Sequence, residues 1–233
     1  MKLRTIAPAA TLVAAALLTT QPAQAAQAAP QQAAATCSLV VPSRLSIGAA
    51  NNNFVAKLGS NCPATINTAV WKSTPAATMY PEGRLQFLYH AREVVFTVSG
   101  AGAPIGTITW KPAGGATDFN GVKVADLSGA TSVSKSASAA ALTGGRKGSR
   151  TALLTTVSYW RTNDGRSVRW ANKQVLIQYQ DIGTTTWKGL AYVTTNSVGQ
   201  VTYNYYPNRT RRYRVYVPGT SSIWNIFSPV ISR

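Results

Sequence analysis

Four arginines fall within six residues of this chain: Arg209, Arg211, Arg212 and Arg214. Arg161, Arg166 and Arg169 lie in and after an earlier turn signal. Trp160, Trp170, Tyr203, Tyr205, Tyr206, Tyr213 and Tyr216 are interleaved with them. A guanidinium fork pairs two N–H groups with a phosphate or carboxylate, and an aromatic face stacks on a base or sugar. On a strand, Arg212 and Arg214 project to one side together. The seven arginines are therefore candidates for a polyanion-binding surface. The competing reading is an exported basic protein whose aromatics fill its core.

Catalytic chemistry finds less support. His90 is the only histidine, and no serine lies in Gly-x-Ser-x-Gly, so a nucleophilic triad has little to build on. A zinc site needs three or four His, Cys or acidic ligands, which one histidine and two cysteines do not supply. Asp118, Asn120 and Asp126 are the best oxygen ligands for calcium, but Asp118-Phe119-Asn120-Gly121 reads equally as a turn. Glu82 and Glu93 are the only glutamates available as a glycosidase pair. Asp164, in Asn163-Asp164-Gly165, reads as a hairpin residue. The sequence thus assigns no catalytic residue, cofactor or metal, and the chain is read as a non-enzyme.

Export follows from the N-terminus. Lys2 and Arg4 precede an apolar stretch from Thr5 to Leu18, and Ala23-Gln24-Ala25 is a small-x-small cleavage pattern. Pro8 interrupts the run, which falls short of the ~20 apolar residues of a membrane span. We read residues 1–25 as a signal peptide and 26–36 as an Ala/Gln-rich disordered start, with cleavage between Ala25 and Ala35. The rest is then secreted, with no further span. Outside a cell, the polyanion would be an anionic cell-wall polymer such as teichoic acid, an acidic polysaccharide or a phospholipid surface, rather than genomic nucleic acid. Cys37 and Cys62 are the only cysteines, and an exported chain most simply pairs them.

The positioning elements read as strands. Val, Ile, Thr, Tyr, Phe and Trp alternate between Gly- and Asn-rich breaks at short spacing, with no helical period. The first half predicts strands near 37–41, 54–58, 66–72, 84–89, 93–99, 106–111, 121–126 and 130–136. In the second, Leu153, Thr155, Val157 and Tyr159 share a face, as do Val175, Ile177 and Tyr179. Arg211, Tyr213, Val215 and Val217 alternate with Arg212, Arg214 and Tyr216, and Pro229 suits an edge strand. The formal charge of +17 is uneven: residues 138–233 hold thirteen basic residues against Asp164 and Asp181. The Ser/Ala/Gly-rich stretch 134–149 reads as one strand running into another, with a boundary near 137. This gives an all-β chain of two tandem sandwiches, 37–137 with the disulfide and 138–233 with the charge.

The second half resembles a bacterial immunoglobulin-like domain of secreted actinobacterial proteins. The resemblance rests on Gly-Ser-Arg-Thr at 148–151, the run Leu154 to Trp160, the run Lys173 to Gln180, Gly183 to Lys188, Thr194 to Val201, and Arg211 to Val215. It implies that Thr194-Thr195-x-x-x-Gly199 is a hairpin between two strands. It places Val215 on the sixth strand, where antibody domains carry a cysteine, and Tyr213 as a corner tyrosine. The first half is similar, more loosely, to the disulfide-bearing partner domain. The resemblance speaks to fold, since the sandwich hosts many roles; the sequence as a whole is read as a non-catalytic interaction or structural module at the cell surface or in the extracellular matrix. The alternative is polyanion binding through the arginine-rich half.

Overall fold

The computed structural model describes residues 35–233; the signal-peptide reading lies outside them. Among the described residues every regular element is a strand except a single turn of 3-10 helix at Pro81–Gly83. In the first half, Leu39–Val40, Asn51–Leu58 and Glu93–Ser99 form one sheet. The facing sheet runs Thr36–Cys37, Lys123–Leu127, Ala116–Thr117, Thr68–Thr74, Gly106–Pro112, Ala130–Ser136 and Arg44–Ile47, with Arg84–Leu88 also pairing with Thr68–Thr74. The opening segment thus divides between the two sheets. Its later part, Arg44–Ile47, runs parallel to Ala130–Ser136.

The second half repeats the scheme. Arg150–Arg161 pairs with Ser138–Lys147, Arg166–Arg169 and Gln200–Tyr205 in one sheet. The other runs Lys188–Thr194, Gln174–Asp181, Arg211–Val217, Ile226–Phe227, with Ile231–Ser232 also on Arg211–Val217. Setting aside the short Arg166–Arg169, the first, second and fifth strands make one sheet, and the third, fourth, sixth and seventh the other. That is immunoglobulin-like sandwich topology.

Alternation explains the layers. Leu153 and Val157 face Val175, Ile177, Tyr213, Val215 and Val217, while residues between them point outward. The first half has its own larger core around Trp71, Trp110, Phe87 and Phe96. Trp71 meets Phe87 edge-on at 5.7 Å, and Phe96 meets Trp110 at 5.2 Å, the offset geometry aromatic quadrupoles favour. Both indoles are polar-satisfied: Trp71 Nε1 donates to the Ser128 carbonyl and Trp110 Nε1 to Ser132 Oγ.

The Ser134–Ser149 stretch is strand almost throughout, as Ala130–Ser136 and Ser138–Lys147. The buried residues of Ala130–Ser136 are Ser132, Ser134 and Ser136. Two details depart from expectation. The strand expected near 54–58 starts earlier, at Asn51, because Asn51–Asn53 already pair with Thr97–Ser99. Buried Asn52 satisfies the turn from within the strand, its Oδ1 accepting from Gly48 and Ala49 N–H. Second, Thr194 to Gly199 is a turn but not a hairpin, since Lys188–Thr194 and Gln200–Tyr205 belong to opposite sheets. Asn196 Oδ1 accepts from Val198 and Gln200 N–H, and Gly199 takes φ 70, so the chain can turn sharply between layers.

Candidate functional site

The candidate catalytic groups are occupied structurally. Tyr89 and His90 both take left-handed φ in the tight turn that carries the chain from one sheet of the first half to the other, and His90 Nδ1 lies 3.0 Å from the Ile66 carbonyl. Glu93 pairs with Lys57 at 2.6 Å and Glu82 with Lys72 at 2.5 Å. The hydrogen bond from Lys72 holds the Glu82 carboxyl below its ordinary value, the reverse of what a general acid needs. Asp118 Oδ1 accepts from Asn120 and Val122 N–H, closing the turn, and Asp126 pairs with Lys123. Among the described residues no three His, Cys, Asp or Glu cluster to hold a metal.

The seven candidate arginines do not form one surface. Arg161 and Arg166 flank the hairpin turn and both pair with Asp164. Arg169 lies on the same short ribbon, opposite Ser158. Arg209, Arg211 and Arg212 sit at the other end. Thr151 pairs with Tyr205, so the strand Arg150–Arg161 separates the groups by about 30 Å at ~3.3 Å per residue. Arg214 is a third case, on the outer face of the five-stranded sheet.

The far end is where charge concentrates. Arg211 is nearly buried, with Nε donating to Asp181 Oδ1 at 2.8 Å and Nη1 to the Tyr205 hydroxyl. Its Cζ lies 4.4 Å from the Tyr179 ring centroid. Burial opposes its charge, but the Asp181 bond and the neighbouring phenols outweigh it and hold the guanidinium above its ordinary value. Arg209 and Lys188 reach the same carboxylate at 3.7 and 3.9 Å. Arg212 has no ion-pair partner among the described residues.

Sequence reasoning missed five cations that join this end. Ser138–Lys147 and Arg150–Arg161 form a hairpin whose tip places Lys147 directly opposite Arg150. Arg146 donates to the Pro207 carbonyl, tying that tip to the loop that carries Arg209. Arg233 N donates to the Arg211 carbonyl, and Arg233 Nε to Gly144 O. Lys188 opens the strand beside Asp181. Eight basic residues thus meet at one end, with Asp181 as the one acidic side chain there among the described residues. Their sequence positions run from 146 to 233, so no local motif announces them. The signal available was the charge total of residues 138–233.

The expected corner tyrosine is corrected. Tyr213 is fully buried in the core of the second half, and its hydroxyl has no hydrogen-bond partner among the described residues. The strand reading stands: Val215 lies beside it on the inner face of the sixth strand. The disulfide Cys37–Cys62 is present, joining the first edge strand to the loop before Thr68–Thr74.

No family model matches the chain, and no curated protein matches it significantly. Among solved structures it is similar to the human OSCAR ligand-binding domain, at 12% identity and TM-score 0.28, over 86% of this chain and 99% of that one. It is similar to a chain of a cytokine receptor complex, at 12% identity and TM-score 0.39, over 84% and 94%. The D0-D1 domain of intimin is matched at 12% identity and TM-score 0.28, over 84% and 96%.

Proposed function

We propose that this chain is a non-catalytic extracellular interaction module, of the kind found in secreted actinobacterial proteins, and that it holds an anionic polymer at the far end of its second half. The observation that carries this reading is the gathering of Arg146, Lys147, Arg150, Lys188, Arg209, Arg211, Arg212 and Arg233 at one end, where Asp181, paired with Lys188, Arg209 and Arg211, is the one acidic side chain among the described residues. Lys147 and Arg150 face each other across a two-residue turn. Like charges directly opposite destabilise a strand pair, and a bound polyanion relieves that repulsion. Export is supported by the disulfide, which persists in oxidising compartments. No helix of the described residues is long and apolar enough to cross a membrane. The polymer is a cell-wall teichoic acid or an acidic polysaccharide of the matrix.

The test is a sedimentation assay with insoluble cell wall, wall stripped of anionic polymer, and an acidic-polysaccharide resin, at low and high salt. Binding to intact wall or resin should fall steeply with salt, because a polyanion releases its counterions on binding. The Lys147→Ala/Arg150→Ala/Arg212→Ala variant should bind more than tenfold more weakly. Equal binding by this variant, or none by the native chain at low salt, sinks the reading.

A further inference from the structure

The outer face of the five-stranded sheet in the second half has the wrong chemistry for a surface that only meets water. Leu176, Tyr216 and Tyr192 point outward, opposite the inward Val175, Ile177, Val215 and Val217. Register places Tyr192, Leu176, Tyr216 and Phe227 in one row across four strands. Tyr192 is 70% exposed and Phe227 44%. At ~4.8 Å between strands the row spans about 14 Å. The Tyr216 and Phe227 rings lie 4.9 Å apart at 37°, presenting a shallow aromatic shelf.

Arg214 sits in the next row, and its surroundings are built. Its Nε donates to Gln178 Oε1 at 2.8 Å. Its Cζ lies 4.2 Å from the Trp187 ring centroid and 4.1 Å from that of Phe227. Two aromatic rings and one hydrogen bond therefore hold the guanidinium in place. No carboxylate pairs with it among the described residues: Asp181 serves Arg211, which alternates to the other face. Neither Nη atom has a protein acceptor among them. Burial pushes the guanidinium below its ordinary value, as expected of a cation partly stripped of water and given no counter-ion. Gly189 stands opposite Gln178, so no side chain covers this flank.

We propose that Arg214 receives the carboxylate of an acidic sugar residue in an extracellular polysaccharide, with neighbouring sugar rings lying on Tyr192, Tyr216 and Phe227. The open Nη edge offers two parallel N–H donors, the geometry a carboxylate accepts. The electron-rich faces of the aromatic row meet the polarised C–H groups of a sugar ring. A peptide adding as a strand is not served here, because backbone donors and acceptors on a sheet face are already spent within the sheet. This site lies on the sheet face and is independent of the basic hairpin at the far end.

The experiment titrates the whole chain with an oligogalacturonate, its methyl ester and a polyphosphate of matched charge, by calorimetry. The oligogalacturonate should bind, and its methyl ester at least tenfold more weakly. Arg214→Lys keeps the charge but loses the fork, and should weaken oligogalacturonate binding at least tenfold while sparing polyphosphate. Tyr192→Ala, at an exposed position that cannot disturb the core, should weaken oligogalacturonate binding severalfold. Lys147→Ala/Arg150→Ala should weaken polyphosphate and any oligogalacturonate held at the far end, but should leave the loss caused by Arg214→Lys and Tyr192→Ala undiminished. The proposal is overturned if the oligogalacturonate does not bind at millimolar concentration, if ester and acid bind equally, or if Arg214→Lys and Tyr192→Ala both leave binding unchanged.

Discussion

Tyr213 shows how one atom departs from a family pattern. Its ring fills the second core between Arg211 and Val215, yet its hydroxyl is buried without a partner among the described residues. A buried hydroxyl stripped of water and left unpaired costs about 1–3 kcal/mol. Tyr213→Phe should therefore stabilise the chain by about 1 kcal/mol, read as a higher denaturant midpoint with unchanged slope. The same burial raises the phenol above its ordinary value near 10. The fold holds the neutral form, so this contribution is complete below that value and is lost as pH rises through it. As pH rises above the ordinary phenol value near 10, native chain and variant should diverge further, with the variant losing less stability. Parallel curves across that range would show that the hydroxyl finds a partner in solution.

The first edge of the molecule depends on a disulfide and one arginine. Cys37 lies on a two-residue strand, too short to hold itself, and Cys62 on a loop without regular structure. Arg92 gathers that loop, donating to the carbonyls of Gly59, Cys62 and Pro63. The covalent loop of 25 residues should be worth about 3 kcal/mol. Cys37→Ala/Cys62→Ala should lower the unfolding free energy by that amount, measured by denaturant. A loss below about 1 kcal/mol would mean that Arg92 already restrains the loop. The bridge and nearly all the long strands were legible in the sequence, because paired cysteines and period-two alternation are local signals. Arg44–Ile47 was not, being four residues between a proline and a glycine, held by parallel pairing to a strand about ninety positions away. The candidate arginines were legible as residues but not as a site. Sequence proximity grouped Arg209, Arg211, Arg212 and Arg214, whereas strand alternation sends Arg211 inward, Arg214 onto the aromatic shelf and Arg212 to the exposed end.

The two cores are joined by a side chain that no sequence motif marked. The segment before the final strands returns to the first half: Trp224 N donates to the Ser136 carbonyl, and Ser136 N to Ser222 O. The Trp224 indole Nε1 donates to the Leu45 carbonyl at 3.1 Å. Arg44 Cζ lies 4.1 Å and Lys135 Nζ 4.8 Å from the indole centroid, two cations of the first half on one ring of the second. A cation over an indole contributes about 0.5–2 kcal/mol and the hydrogen bond about 1. Together these make Trp224 worth about 3 kcal/mol of coupling between two sandwiches that each have a core. The second junction is smaller: Trp160 Nε1 donates to Gly100 O, and Gly102 N to Thr162 O. Calorimetry should find one cooperative transition in the native chain. Trp224→Ala should split it, the second half melting first because its core is the smaller. Trp224→Phe keeps a ring for the cations but loses the indole hydrogen bond, and should broaden the transition without separating it. A single unshifted transition in Trp224→Ala would place the coupling in the continuous strand from Ala130 to Lys147 instead, where only Ala137 interrupts the pairing.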